Sequence, residues 1–128
     1  VEIVRSDLGR PFLESNAKVA PLGKFRHPSL SPDNGTLYVD GPTEIGQHAI
    51  YVATRPDPFK EWSTPRILDR LQSNSTKKGN VTPRISPDGR LLYFASDREG
   101  SAGGFDIWVT SVSSSSPADN PSPAADPE

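Results

Sequence analysis

The chain has 128 residues, with 14 Lys and Arg against 16 Asp and Glu, a formal net charge of −2 and no cysteine. That length suits one ordinary domain, and the near-balance of charge argues against nucleic acid, an anionic membrane surface or a strongly charged substrate as its target. A disulfide framework and a thiolate metal site are excluded, and no apolar run is long enough for a membrane span or the core of a signal sequence.

Leu, Ile, Val and Phe make up 28 of the 128 residues, which predicts a folded domain with a thin core. Fourteen prolines and ten glycines favour short strands joined by many turns. Nowhere do apolar residues recur at i, i+3 and i+4 between caps, so essentially no helix is expected. With Val1 first and no methionine, the chain is expected to be a processed product or a piece of a longer one.

In chain order, residues 1–25 read as a lead-in in which "RPFLE" (Arg10 to Glu14) is a short blade-closing strand. "HPSLSPDNGTLYV" (His27 to Val39) then matches "TPRISPDGRLLYF" (Thr82 to Phe94) without a gap, 55 residues later. Each copy reads as a short strand ending in Ser-Pro-Asp. Pro sets φ, Asp33 or Asp88 bonds the amides just ahead, and Asn34-Gly35 or Gly89 completes the turn. A second strand follows in each copy (Thr36 to Asp40, Leu91 to Ser96), rich in aromatic and β-branched residues. Polar, Gly-containing loops lead to third strands, Ala49 to Thr54 and Asp106 to Ser111, now 57 residues apart. Tyr38 and Tyr93 occupy matching positions, as do Tyr51 and Trp108. "EWSTPRIL" (Glu61 to Leu68) is a fourth strand carrying Trp62, and its counterpart after the second copy is missing. The expected units are 26–69 and 70–112, followed at 113–128 by a disordered tail of Ser, Pro, Ala and acid.

"ISPDGRLLYFASDREGSAGGFDIWV" (Ile85 to Val109) resembles the WD40-like propeller repeat, also called the PD40 or TolB-type repeat. The resemblance lies in Ser-Pro-Asp-Gly, the Leu-Tyr-Phe strand, Ser-Asp-Arg, a Gly-rich loop and an Asp-Ile-aromatic-Val strand. The first copy is more degenerate, with Asp40-Gly41-Pro42-Thr43 where Ala-Ser-Asp-Arg stands in the second. The resemblance implies an all-β chain of two four-stranded antiparallel blades, of the TolB-like six-bladed type or a fragment of it. It also implies a periplasmic or extracytoplasmic setting in a bacterium. Two blades cannot close a ring, so either a larger chain or several copies of this one would complete the propeller.

Equivalent aromatics in each copy are expected to pack between blades. Asp97 is expected to cap a turn and Arg98 to bridge to the neighbouring blade. Asp97, Arg98, Trp62, Trp108 and Tyr51 are the candidates for a partner-binding or inter-blade surface. His27 and His48, the only histidines, lack metal-ligand spacing. "DREGSAGGFD" (Asp97 to Asp106) lacks the alternating acids and closing Glu of a calcium loop, and no G-x-S-x-G nucleophile elbow is present. No catalytic residue, metal or cofactor is therefore assigned. Asn34, Asn74 and Asn80 each begin a glycosylation sequon. The expected function is a non-catalytic module binding a protein or an envelope component, without nucleic acid or membrane insertion. The alternative is the propeller portion of an enzyme, either the gating domain of a serine peptidase or a five-bladed glycosidase.

Overall fold

The computed structural model describes residues 2–5, 18–112 and 122–123, with side chains from 22 to 112. Alternating apolar residues between turn-forming clusters give strands almost throughout. β1 (Glu2–Arg5) pairs with β2 (Lys18–Pro21) as a separate antiparallel hairpin. β3 (Arg26–Leu30), β4 (Thr36–Pro42), β5 (His48–Thr54) and β6 (Arg66–Ile67) form a first four-stranded meander. After a single 3-10 turn at Asp69–Leu71, β7 (Asn80–Ile85), β8 (Leu91–Ser96), β9 (Asp106–Ser111) and β10 (Ser122–Pro123) form a second. All pairings within the two meanders are antiparallel, as expected for blade-like sheets.

Both Ser-Pro-Asp turns close in the same way. Ser31 Oγ and the Gly35 N–H donate to Asp33 Oδ1 at 2.6 and 2.9 Å, and Ser86 Oγ and the Arg90 N–H donate to Asp88 Oδ1 at 2.6 and 3.0 Å. The residue at positive φ is Asn34 in one turn and Gly89 in the other. Asn is the side chain that best tolerates that region, so the less regular first copy keeps the turn of the second. Each sheet also carries a register shift in its innermost strand, with His27 and Thr82 at matching positive φ just before a proline.

Two expectations need correction. The fourth strand of the first sheet is confined to Arg66–Ile67; ahead of it Ser63 bonds Thr54 at the end of β5 through its N–H and hydroxyl. The second sheet does not end without a fourth strand: Ser122–Pro123, inside the segment expected to be a disordered tail, pairs with Val109 and Trp108. Arg66–Ile67 pair with Val52 and Tyr51, the equivalent residues of the first sheet. Arg10–Glu14 lie outside the described residues.

The sheets stack face to face. Tyr38, Ile50 and Val52 of the first meet Leu92, Phe94 and Trp108 of the second, with Leu71 of the connection filling the edge. Ile50, Leu71 and Leu92 are completely buried; each such side chain contributes about 1.5–3 kcal/mol by leaving water. The opposite face of the first sheet (Leu37, Val39, Ala49, Tyr51) is buried with Leu22, Phe25, Trp62 and Ile67.

Candidate functional site

The strongest chemical signals in the sequence converge on the seam between the sheets. Asp97 follows β8, and its carboxylate accepts the backbone N–H groups of Lys77, Lys78 and Gly79 at 3.1, 2.7 and 3.2 Å. Partial burial alone would raise its pKa, but these three amides outweigh it and hold the carboxyl below its ordinary value. Asp97 thus ties down the segment that leads into β7 rather than the turn that follows β8.

Arg98 is buried, at 8 % exposure. Its guanidinium donates to Leu71 O at 2.5 Å, Asn80 Oδ1 at 3.0 Å and Ser96 Oγ at 3.0 Å. It lies 5.2 Å from the Phe94 ring and 5.3 Å from the Trp108 ring. Burial lowers its pKa, and among the described residues no carboxylate pairs with it. Rather than reaching a side chain of the first sheet, Arg98 binds the connection between the sheets at Leu71. The Asn80 amide is consumed in the same network, donating to Leu71 O at 3.1 Å, so this sequon is inaccessible in the fold.

A second cluster was not legible as a motif. Asp40, at 0 % exposure, is flanked by both histidines of the chain. His27 Nδ1 lies 2.5 Å from Asp40 Oδ2, and the Thr82 N–H of the second sheet donates to the same oxygen at 2.8 Å. Oδ1 has no hydrogen-bond partner; His48 Nδ1 stands 3.6 Å and Arg26 Nε 3.8 Å away. The residues are 13 and 8 positions apart along the chain and meet because β3, β4 and β5 lie side by side over the start of β7. The seam is further sewn by Ser29 Oγ accepting the Ile85 N–H at 3.0 Å, by Lys78 O accepting the His48 N–H at 2.8 Å, and by Gln47 Nε2 donating to Thr76 O and Lys77 O. Among the described residues no group of three or more His, Cys, Asp or Glu is placed to hold a metal ion.

The candidate aromatics divide by role. Trp108 is buried and its Nε1 donates to Ser101 Oγ at 3.2 Å. Tyr51 donates its hydroxyl to Pro42 O at 2.8 Å and meets Phe25 edge-on at 4.9 Å. Trp62 packs against the first sheet under the Arg55 guanidinium, 4.1 Å from its ring centre. Of these, Trp108 lines the contact between the sheets, whereas Tyr51 and Trp62 serve the far face of the first.

Among the described residues no further sheet lies over the outer face of the second sheet. Tyr93, Ile107 and Val109 repeat, residue for residue, the Tyr38, Ile50 and Val52 with which the first sheet grips the second. Tyr93 pairs with Val109 and Ala95 with Ile107 across β8 and β9, which sets these side chains on one face. Ile107 is 54 % exposed where Ile50 is 0 %. Leu91, opposite Ser111 at the other end of the same face, is also exposed.

No family model matches the chain, and no curated protein matches it significantly. Among the described residues no helix is long and apolar enough to cross a membrane.

Proposed function

We propose that the chain is a non-catalytic interaction module of the WD40-like propeller type, which binds another protein through the open face of its second sheet. The observation that carries this reading is the Tyr93–Ile107–Val109 face. It duplicates a surface that already makes a buried contact within the same chain, yet has nothing described over it. Ile107 is exposed there and Tyr93 and Val109 are half-buried, an apolar patch that supports an interaction surface. The polar residues support the same reading, because each is engaged in the fold: Asp97 holds the segment leading into β7, Arg98 the connection at Leu71, and Asp40 the Thr82 N–H across the seam. An envelope component in a periplasmic setting is the partner class that the repeat resemblance suggests.

The test is binding of an apolar fluorescent dye to the folded chain at high dilution. Saturable binding that falls in Ile107→Lys, with no change in the far-ultraviolet spectrum, is the expected result. Absent binding, or binding that the substitution leaves unchanged, overturns the reading.

A further inference from the structure

The four side chains that meet at Asp40 have no charged counterpart in the second sheet. Arg26, His27, Asp40 and His48 correspond there to Val81, Thr82, Ala95 and Phe105. The backbone is alike in both, with His27 at φ 54° and Thr82 at φ 50° beside matching register shifts. The second sheet thus forms its strands and its bulge with no charge at any of the four positions. The seam does not require the cluster either. It needs one acceptor for the Thr82 N–H, and Ser29 Oγ receives the nearby Ile85 N–H with a neutral hydroxyl. A buried carboxylate costs more to desolvate than a hydroxyl in the same role.

The bulge decides how the cluster is arranged. The shift between Arg26 and Ser29 turns consecutive side chains toward one carboxylate: His27 Nδ1 lies 2.5 Å from Asp40 Oδ2, and Arg26 Nε lies 3.8 Å from Oδ1. An ionised carboxylate has no hydrogen to give, so Nδ1 carries the ring proton and the lone pair sits on Nε2. Asp40 is completely buried and its Oδ2 also accepts the Thr82 N–H, which fixes the ring in orientation as well as in tautomer. His27 is half exposed. With its Nδ1 edge against a buried group, the Nε2 edge is the one that faces solvent. An imidazole held by a carboxylate on one nitrogen and open on the other is the arrangement of an activated nucleophile. His48 is held differently. Its Nδ1 stands 3.6 Å from Oδ1, too far for a hydrogen bond, and Arg26 Nη2 lies 3.4 and 3.3 Å from its two ring nitrogens.

We infer that His27 Nε2 is an acceptor for a phosphoryl group. Charge selects a phosphoryl over an acyl group. Arg26, itself half exposed, stands beside the His27–Asp40 pair, and the exposed Lys78 is joined to His48 through its carbonyl. A phosphoryl group brings about two negative charges to these cations, and an acyl group brings none. With a phosphoramidate as donor, Nε2 attacks phosphorus; the new N–P bond forms as the donor's P–N bond breaks. The donor nitrogen, already protonated, departs as a neutral amine. The Nδ1 proton stays on the ring against Asp40. The site lies at the seam, on the opposite side of the second sheet from Ile107, so it stands or falls independently of the interaction face.

Incubation of the full chain with phosphoramidate, followed by peptide mapping in alkaline solution to preserve phosphohistidine, tests it. One phosphoryl group on His27 is expected, attached at Nε2 by phosphorus magnetic resonance. It should form at least about 10-fold faster than on His48, and faster by the same margin than on either histidine of the chain in urea. Asp40→Asn should lower the His27 rate about 10-fold or more with the far-ultraviolet spectrum unchanged, and Arg26→Gln should lower it less. Equal labelling of the two histidines, attachment at Nδ1, or a rate no higher in the folded chain than in urea overturns the inference. An Asp40→Asn chain that folds and reacts at the wild-type rate overturns it too. If that variant does not fold, the wild-type rates in buffer and in urea decide.

Discussion

Replacing Arg98 separates a structural pin from an incidental buried charge. Its guanidinium makes three hydrogen bonds, to Leu71 O, Asn80 Oδ1 and Ser96 Oγ, and rests against the faces of Phe94 and Trp108. Removing the side chain orphans Asn80 Oδ1 in the interior, worth about 1–3 kcal/mol when unsatisfied. It also forfeits stacking of about 0.5–2 kcal/mol. Against this stands relief of the desolvated charge, a cost of several kcal/mol for an unpaired ion. Asn80 Nδ2 also bonds Leu71 O, so that carbonyl keeps one partner. With the cavity left by the truncated side chain adding about 2–3 kcal/mol, the balance is a net loss of about 2–3 kcal/mol for Arg98→Ala, a large share of the 5–15 kcal/mol that a domain holds, and roughly 10 °C in midpoint. Arg98→Met keeps the volume and the apolar contact while losing every donor, and should fall about 1 kcal/mol short of that loss. Urea unfolding monitored by tryptophan fluorescence measures all three proteins. A methionine variant as stable as the wild type, or more so, would refute the argument, since buried ions replaced by apolar groups can gain stability.

Asp97→Asn should cost about 1–2 kcal/mol near neutrality, since an amide is a weaker acceptor for three backbone N–H groups. The folded pKa of Asp97 is held low, so its contribution is present above the ordinary carboxylate pKa and is lost as pH falls through the folded value; the asparagine variant should show a flatter acid limb in stability against pH. Gly79→Ala should unfold or severely destabilise the chain by about 3 kcal/mol or more: at φ +110° its Cβ would stand 2.0 Å from His48 O, a backbone atom that cannot yield. At φ 63°, Asn34→Gly should leave the urea midpoint unchanged or raised, while Asn34→Ala should lower stability by about 1 kcal/mol.

Much of the fold was legible because the turns carry explicit chemistry. Ser-Pro-Asp with Asn or Gly one residue on closes the β3–β4 and β7–β8 hairpins, and Leu91–Ser96 and Asp106–Ser111 are the strands the sequence predicts. The fourth strands were harder to read because an outermost strand needs backbone pairing and little apolar content. Arg66–Ile67 and Ser122–Pro123 share with their surroundings only a proline one residue earlier, Pro65 and Pro121. The Asp40 cluster left one readable trace: Asp40 alternates in phase with Tyr38 and so sits on a face predicted to be buried. A carboxylate in such a position demands donors, and the two histidines were available. Which donors reach it depends on strand order and on the second sheet, which spacing along one chain does not encode.

The two repeats also solve one packing problem with different chemistry. In the second sheet the aromatic of the third strand, Trp108, is covered by Arg98. In the first the equivalent aromatic, Tyr51, is covered by Phe25, and the position of Arg98 is taken by Thr43. Gly41 stands where the second copy has Ser96, and a Cβ there would meet the Phe25 ring at 2.6 Å. The loss of Ser-Asp-Arg from the first copy is therefore matched by a glycine that makes room and a phenylalanine that fills it. Each cover suits its place. Arg98 must satisfy Leu71 O and Asn80 Oδ1 in the connection between the sheets, so a many-armed donor is required. Phe25 lies in the segment leading into the first sheet and closes a face whose nearby Tyr51 hydroxyl is already satisfied by Pro42 O. An apolar cover there avoids burying another charge, and it helps make the first face an end of the stack while the second remains open.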